Sequence, residues 1–267
     1  MLERERHKLI LKLVNERAIM AVGDLVEILD ASEATIRRDI ALLDRNGGLR
    51  RVRGGVEALK PRFHAHLVGV PFALSRQVRI TEKQAIARAA LPLLQDCSSI
   101  IINAGTTMFE FARAMHNHDL DVLTNSLSIA GELLSQSRCR ITLPGGTVFP
   151  EHNIILSPFE NDAIANFAAD VLFTSCYGLG PGGMTEMDPH IAHASEKLMR
   201  RAQKVVVLAD SSKLALRSSM VIAPLERIDA IVTDSAARES DLEFLRQAGI
   251  RIHIAECAGP AVMGAPQ

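Results

Sequence analysis

The first sixty residues contain three stretches in which apolar side chains recur at the spacing of a helix. The first covers residues 3–16. The second is short and ends at a turn, residues 30–32, and the third covers residues 33–44. Ser32 directly precedes the third stretch, where its hydroxyl can cap the helix. The third helix should bury one stripe of side chains, at the i, i+4 and i+7 positions Ile36, Ile40 and Leu43.

A basic hairpin is predicted directly after the third helix. Asn46-Gly47-Gly48 is a turn signal, and residues 49–56 then alternate apolar with basic side chains and include a glycine pair. The order helix, helix, turn, helix, hairpin is typical of a winged helix-turn-helix, which reads the major groove of DNA with its last helix. The alternative is a small helical bundle with a charged exterior.

From residue 81 onward, predicted strands and helices alternate, which indicates an α/β domain with a mostly parallel sheet covered by helices on both faces. Strands are predicted at 98–102, 121–124, 140–143, 171–175, 204–209, 229–233 and 250–254. Helices are predicted at 81–95, 108–116, 127–134, 159–168, 190–202 and 240–248.

The chain therefore divides into a mainly α-helical DNA-binding domain with a β-wing, residues 1–58, and an α/β domain, residues 81–257. Residues 59–80 contain two prolines and several histidines without a clean period, so we predict a linker there. Residues 258–267 are predicted to be a disordered tail.

Charge supports the DNA-binding interpretation, although the 267 residues together carry a formal charge of only −1. Residues 37–60 hold seven basic side chains against three acidic ones, a net charge of +4, and such a block suits a polyanion. A solvated charged face is the simpler explanation of the block. The N-terminus is charged, and no apolar run reaches the ~20 residues that span a bilayer, so we expect a cytoplasmic protein.

The four cysteines include no C-x-x-C pair. We therefore expect reduced thiols, no metal site, no disulfide framework and no cofactor.

Polar and glycine-rich segments follow several predicted strands of the α/β domain. In such sheets, ligands bind beyond the carboxyl ends of the strands. Gly105-Thr106-Thr107 joins a strand to the start of a helix, where backbone N–H groups and hydroxyls can hold a phosphate. Lys213, after another strand, can add an ammonium. Further loops of this kind are predicted at 124–126, 144–147 and 178–183.

Simple turn chemistry is the alternative for each of these loops taken alone. None of them matches a Walker A or G-x-G-x-x-G pattern, so these nucleotide sites are not indicated.

The predicted recognition helix and wing carry a family resemblance. Residues 32–40, SEATIRRDI, followed by residues 49–55, LRRVRGG, resemble the DNA-binding segment of DeoR-type bacterial repressors. The resemblance implies that the helix faces the groove and that the wing contacts the DNA backbone. Asp39 is expected to be a structural partner inside the domain, because a carboxylate repels phosphate. The implied DNA-binding residues are Ser32, Thr35, Arg37, Arg38, Arg50, Arg51 and Arg53.

The resemblance continues through the segments 103–107, 124–126, 145–146 and 209–213, which look like the effector domain of DeoR-type regulators. That domain is similar in fold to ribose-5-phosphate isomerase, glucosamine-6-phosphate deaminase and CoA transferases. The resemblance implies a phosphorylated sugar or sugar derivative as effector, and a homodimer or homotetramer on paired operator half-sites. The implied effector-binding residues are Gly105, Thr106, Thr107, Thr124, Asn125, Ser126, Gly145, Gly146, Asp188, Asp210 and Lys213.

The segment after Gly146 departs from the commonest family pattern. Residues 155–158, ILSP, stand where many members have a glycine, and together with residues 173–175 and the loop reaching Asp188 they are more similar to repressors of ascorbate utilisation. That subgroup implies an ascorbate-derived sugar-acid phosphate as effector. Another sugar remains open, because Ser157 and the loop 182–193 can tune the specificity.

Catalysis is the main competing hypothesis, because the fold is shared with sugar-phosphate isomerases and deaminases. Such an enzyme needs a base and a second proton-transfer group. Acids and histidines cluster at residues 186–196, but their spacing defines no acid–base pair, and we predict no catalytic residue. A DNA-binding architectural protein with a purely structural second domain is a third alternative. A winged helix joined to phosphate-friendly loops favours a repressor of a carbohydrate-utilisation operon that the effector releases from its operator.

Overall fold

The computed structural model describes residues 2–17, 19–52, 54–59 and 72–257. The chain divides into two compact units, Met1–His66 and Leu67–Gln267. Arg53, residues 60–71 of the predicted linker and the predicted tail 258–267 lie outside the described residues. The domain boundaries proposed from the sequence therefore stay predictions.

The first unit contains the three predicted helices and the predicted hairpin. The helices are α1 (Glu3–Arg17), α2 (Val22–Leu29) and α3 (Glu33–Arg45). Strands β1 (Ile19–Ala21), β2 (Arg50–Val52) and β3 (Gly55–Glu57) form an antiparallel sheet in the order β1-β3-β2. The predicted stripe Ile36, Ile40 and Leu43 is buried, and so are Ile10, Leu13, Leu25 and Val56 in the same unit. This arrangement confirms the winged helix-turn-helix.

The second unit is built on a seven-stranded sheet in which each neighbouring pair is parallel. The strand order is β15-β14-β12-β9-β4-β5-β6. This confirms the α/β prediction. The strands are β4 (Ser99–Ile102), β5 (Asp121–Thr124), β6 (Arg140–Thr142), β9 (Ala169–Thr174), β12 (Ala202–Leu208), β14 (Ala230–Asp234) and β15 (Arg251–Ala255).

Helices cover both faces of this sheet. The helices are α4 (Phe72–Ser75), α5 (Ile80–Ala90), α6 (Thr106–Ala114), α7 (Leu127–Gln136), α8 (Pro189–Met199) and α9 (Glu239–Gln247). Successive strand residues alternate between two cores: Ile100 and Ile102 face the core that α5 to α7 close, whereas Ile101 faces the core of α8 and α9. No helix in the described part of the chain is long and apolar enough to cross a lipid bilayer.

Two small antiparallel sheets lie outside the sequence prediction. Strands β7 (Thr147–Phe149) and β8 (Ile154–Leu156) form a hairpin. Strands β10 (Gly178–Gly180) and β11 (Gly183–Glu186) pair with β13 (Met220–Ala223). The prediction of a loop throughout 178–183 is therefore wrong. A Cβ on Gly178 would lie 2.4 Å from the carbonyl oxygen of Leu216, so this glycine admits a neighbouring chain segment.

The predicted helix at 159–168 is also wrong, since the structure has turns there. The Asp162 carboxylate accepts hydrogen bonds from the backbone N–H groups of Ile164 and Ala165, at 2.9 and 3.3 Å. An aspartate that bonds its own neighbouring backbone competes with helix formation. Lys197 fixes this turn, because its amine lies 2.7 Å from Asp162 Oδ2.

Candidate DNA-binding surface and sensor site

The N-terminus of α3 is defined by its cap. Ser32 Oγ accepts the backbone N–H of Thr35 at 3.2 Å and lies 2.8 Å from the Thr35 hydroxyl. The apolar stripe of α3 packs inward, so Arg37 and Arg38 are exposed on the opposite face. The structure thus presents the predicted recognition helix with its arginines toward solvent.

The two exposed arginines differ in their partners. The Arg37 guanidinium donates to Glu33, one turn earlier, at 2.6 and 2.8 Å. Within the described ranges, no carboxylate pairs with Arg38. Exposed i,i+4 pairs contribute only about 0.3–0.5 kcal/mol, so Arg37 can exchange its partner for a phosphate at little cost.

The wing is tied to the recognition helix through the backbone. The Arg51 N–H donates to Asp44 Oδ1 at 3.2 Å, which leaves the exposed Arg51 side chain free of this contact. Arg50 Nη1 lies 3.0 Å from Glu57 Oε1 on the paired strand. A groove of about 470 Å³ separates α3 from the wing and is lined by residues that include Arg37 and Arg51. Arg53, the remaining predicted contact, lies outside the described residues.

A buried carboxylate holds α3 against α1. Asp39 is 5% exposed and accepts Arg6 Nε at 2.5 Å, Arg6 Nη2 at 3.2 Å and His7 Nε2 at 2.9 Å. Burial alone raises the pKa of Asp39, but the hydrogen bonds from Arg6 and His7 outweigh it, and the pKa lies below its usual value. The expectation that Asp39 is a structural partner is confirmed.

Glu3 also approaches this cluster, with Oε1 3.9 Å from His7 Nε2. Glu3, His7 and Asp39 could offer three ligand atoms to a cation. The Arg6 guanidinium already occupies both oxygens of Asp39, so the set is better described as an ion-pair network than as a metal site.

In the second unit, the loops that follow neighbouring strands are joined to one another. Asn125 Oδ1, after β5, accepts the N–H of Ala104, after β4, at 2.8 Å. Asn103 Nδ2 donates to Thr174 Oγ1 at the end of β9 and to Ser195 Oγ on α8, both at 3.0 Å. The carboxyl ends of β4, β5 and β9 therefore form one connected edge.

The predicted phosphate loop lies at the N-terminus of α6. Gly105 precedes the helix with a φ of 152°, which L side chains rarely adopt, and a Cβ there would lie 3.9 Å from the Cβ of Ser175, after β9. Gly105 and Thr106 are half-buried, whereas Thr107 is buried. Backbone N–H groups at such a helix start, together with the helix dipole, attract an anion.

Most of the other predicted effector residues are buried and shape their own loops. Thr124 Oγ1 accepts the N–H of Ser126 at 3.2 Å, and Ser126 Oγ caps α7 through the N–H of Ile129 at 3.3 Å. Asp188 caps α8, and Asp210 caps the turn at 211–213. These bonds explain the residue types without a ligand, so a direct effector contact by these four residues stays a prediction.

The glycine pair 145–146 lies in the approach to the β7–β8 hairpin. Gly146 has a φ of 143°, and a Cβ there would lie 2.3 Å from the carbonyl oxygen of Leu156. The N–H of Ile155, on β8, donates to the backbone oxygen of Asn125 at 2.7 Å. This hairpin, which carries the segment that departs from the family pattern, thus packs against the loop after β5.

Lys213 supplies the positive charge at the end of β12. Its amine is 5.4 Å from the centre of the Tyr177 ring, and the side chain is half-buried. Burial raises the pKa of Glu186, and the nearby Lys213 opposes that rise. Burial likewise raises the pKa of the Cys176 thiol to about 12, again opposed by Lys213. Lys213 therefore places a partly exposed ammonium beside buried groups at this edge of the sheet, and an ammonium can bind an anionic ligand.

Sequence reasoning missed two basic residues behind these loops. Arg79 Nε lies 3.3 Å from Asp210 Oδ1, and Lys83 is only 5% exposed. Burial lowers the pKa of Lys83 to about 8, although Asp210 opposes this. A signal was present, since Lys83 lies at i with Ile86, Ala87 and Ala90 at i+3, i+4 and i+7, and a charge on a buried stripe needs a partner.

The two units together define a class of protein: a transcription regulator that joins a winged helix to an α/β sensor domain. Residues 6–62 match the DeoR-like helix-turn-helix domain, and residues 78–235 match the DeoR C terminal sensor domain. The HTH-type transcriptional regulator UlaR of Escherichia coli (strain K12 / DH10B) is 33% identical over 255 residues, covering 94% of this chain and 99% of UlaR. This chain belongs to the DeoR family, which confirms the predicted resemblance.

Solved structures with a similar arrangement are more distant. Ribose 5-phosphate isomerase A from Methanocaldococcus jannaschii has a TM-score of 0.36 and 15% identity over 49% of this chain and 52% of its own. The beta subunit of eIF2B from Chaetomium thermophilum has a TM-score of 0.39 and 10% identity over 60% and 49%, respectively.

The Asp39 network makes a prediction for stability. Asp39→Asn should lower the free energy of unfolding by about 1–3 kcal/mol at pH 7, because it removes charge-assisted bonds to Arg6 and His7. Folding lowers the pKa of Asp39. The ionised carboxylate therefore contributes its full stabilisation of the folded state above the unfolded pKa of about 3.9, and this stabilisation is lost as pH falls through the folded pKa. Urea denaturation from pH 7 to pH 3 measures this.

The difference between wild type and Asp39→Asn should therefore shrink below about pH 4. Glu27→Gln, an exposed change on α2 in the same unit, is the matched control and should behave as wild type. A loss of stability in Asp39→Asn that is the same at pH 3 and pH 7 would contradict the role given to this carboxylate.

Proposed function

We propose that this chain is a repressor of a carbohydrate-utilisation operon that a phosphorylated sugar or sugar acid releases from its operator. The observation that carries the DNA half is the exposed arginine face of α3 beside a basic wing. The observation that carries the sensor half is the helix start at Gly105, at the same sheet edge as Lys213. We also propose that the protein works in the cytoplasm as a homodimer or homotetramer on paired half-sites.

DNA recognition follows from the geometry of α3. Arg37 and Arg38 reach the major groove, where an arginine can bind a guanine edge with two hydrogen bonds. Thr35, in the first turn of the helix, and Ser32, at its cap, lie toward the same DNA. Arg50, Arg51 and Arg53 contact the phosphate backbone from the wing, which fixes orientation rather than sequence.

The effector's phosphate is held by the residues of the site that remain accessible. The backbone N–H groups of Gly105 and Thr106 and the ammonium of Lys213 bind its oxygens. The loops shaped by Asn125, Asp188 and Asp210 face the sugar, and Gly145 and Gly146 let the β7–β8 hairpin close on it. The resemblance of the segment after Gly146 to ascorbate-utilisation repressors supports a sugar-acid phosphate.

We propose a sensor and no catalysis. Two of the acidic groups at residues 186–196 have structural partners: Asp188 caps α8, and Glu196 forms an exposed pair with Arg200. Release from DNA then needs only a difference in effector affinity between two states of the protein. A coupling of about 1–3 kcal/mol corresponds to a 5- to 150-fold change in DNA affinity.

The DNA surface is tested by Arg37→Ala together with Arg38→Ala. Two lost contacts of roughly 1–3 kcal/mol each should weaken operator binding by at least about 30-fold and leave effector binding unchanged. Fluorescence anisotropy with an operator duplex between 50 and 200 mM salt measures the affinity. The salt dependence should also become shallower, because fewer counterions are released.

A control variant with Arg200→Ala and Arg246→Ala removes two exposed, paired arginines from the sensor unit and should bind DNA as wild type does. Equal losses in both double variants would mean that overall charge, and not α3, is responsible. Unchanged binding in the α3 variant would refute the recognition-helix assignment.

The phosphate assignment is tested by Lys213→Ala. The variant should bind operator DNA normally and lose at least about tenfold in sensitivity to the effector, because the ammonium that neutralises the phosphate is gone. Matched pairs of sugars, sugar acids and their phosphates serve as ligands in an operator-release titration. Lys204→Ala is the control, since Lys204 is an exposed lysine near the start of the same strand, β12, at the opposite edge of the sheet.

If Lys213→Ala responded as wild type does, the phosphate site would lie elsewhere. Turnover of a ligand by the wild-type protein would instead support the isomerase or deaminase alternative.

A further inference from the structure

Residues 72–79, here called the strap, run from α4 to the start of α5 and pack along the sensor unit. They fall within the predicted linker and are the first described residues after the DNA-binding unit. At the beginning of the strap, the Phe72 N–H donates to the backbone oxygen of Glu151, in the turn of the β7–β8 hairpin, at 2.7 Å. The strap is therefore attached to the hairpin that packs on the loop after β5.

The middle of the strap is attached to α6. The Phe72 ring meets the Phe109 ring edge-on, with centroids 5.6 Å apart, and the Arg76 guanidinium lies 4.4 Å above the same Phe109 ring. Arg76 Nε is also 3.5 Å from Glu110 Oε1. Phe109 and Glu110 lie on the helix whose N-terminus forms the predicted phosphate loop.

The end of the strap is attached to the loops after β12 and β14. Arg79 Nη2 donates to Ser211 Oγ at 2.8 Å and lies 3.6 Å from Asp234 Oδ1, while Arg79 Nε is 3.3 Å from Asp210 Oδ1. Arg79 makes these contacts from the left-handed region, with a φ of 53°, which side chains other than glycine seldom adopt. The fold holds the backbone in this conformation at the residue whose guanidinium joins the strap to the carboxyl ends of β12 and β14.

A buried amine on α5 also binds the strap. Lys83 Nζ donates to the backbone oxygen of Ser75 at 2.6 Å. The charged groups around this amine come from three parts of the fold: Glu82 on α5, Glu110 on α6, and Asp210 and Lys213 after β12. The strap is thus anchored, through Lys83 and Arg79, in the same electrostatic cluster as the predicted phosphate ligand Lys213.

We propose that the strap transmits the state of the sensor loops to the DNA-binding unit, with Arg79 as the positioning residue of this connection. The strap contacts the hairpin, the phosphate-loop helix and the Asp210 turn, so a ligand that moves any of them moves the strap. In the sequence, residues 60–71 directly connect the winged helix to the strap. This inference rests on the proposed function, because it assumes that the winged helix binds DNA in the ligand-free state.

The test measures DNA binding without any effector. The probe is a duplex that the wild-type protein selects from a random pool, and the affinity is measured for Arg79→Ala, Asp210→Asn and the double variant. Both single changes remove the Arg79–Asp210 contact, so each should weaken binding at least fivefold. The double variant should be no weaker than the singles, within twofold, because the attachment can be lost only once.

Amide hydrogen exchange supplies a second readout. In Asp210→Asn, exchange across residues 72–79 should become at least fivefold faster, although the substitution lies more than 130 positions further along the chain. Arg88→Ala, an exposed change on α5, is the control and should alter neither exchange nor affinity. If Arg79→Ala fails to fold, Arg79→Gly removes the same guanidinium and suits the left-handed backbone.

The outcomes separate the two hypotheses. If the wild type selects no duplex, the proposed function fails. If it does and the single variants bind that duplex as wild type does, or if their effects multiply in the double variant, the strap proposal alone is wrong.

Discussion

Parallel pairing of the seven central strands is the constraint on which the sensor unit depends. It places the carboxyl ends of β4, β9 and β12 side by side, so that loops far apart in sequence come together at one edge. Both faces of the sheet are covered by helices, and each strand therefore has apolar side chains on both sides. Polar side chains are left for the loops, where Asn103 and Asn125 join neighbouring strand ends. The predicted effector site is a consequence of this topology.

Much of this arrangement could be predicted, because it depends on local pattern. The stripe of α3 and the cap at Ser32 are short-range signals, and the structure confirms both. The seven strands of the main sheet and five of the six helices predicted after residue 80 follow from periodicity. The sequence predicts a structural role for Asp39, because a carboxylate repels the phosphates of DNA. The bonds of Asp39 to Arg6 and His7 explain why an acid is found on this helix.

The remainder depended on long-range contacts that periodicity does not show. Strands of three residues, such as β7 and β10, exist because another segment pairs with them, and Gly178 makes room for residue 216. The helix predicted at 159–168 does not form, because Asp162 accepts hydrogen bonds from its own neighbouring backbone and pairs with Lys197, 35 positions later. Arg79 and Lys83 can be assigned to the site only because both interact with Asp210, which lies more than 120 positions further along the chain. Buried polar side chains at the predicted site, such as Thr124 and Asp188, make hydrogen bonds to the backbone of their own loops.

We propose that a ligand at the sensor edge and DNA at the winged helix oppose each other's binding. The most direct test measures the coupling from both sides with the same phosphorylated sugar acid. Its effect on operator affinity is obtained by anisotropy, and the effect of saturating operator on its own affinity by calorimetry. Linkage requires the two factors to be equal, and we expect each affinity to weaken between about 5- and 150-fold. A ligand that binds tightly while both factors remain at one would contradict the claim.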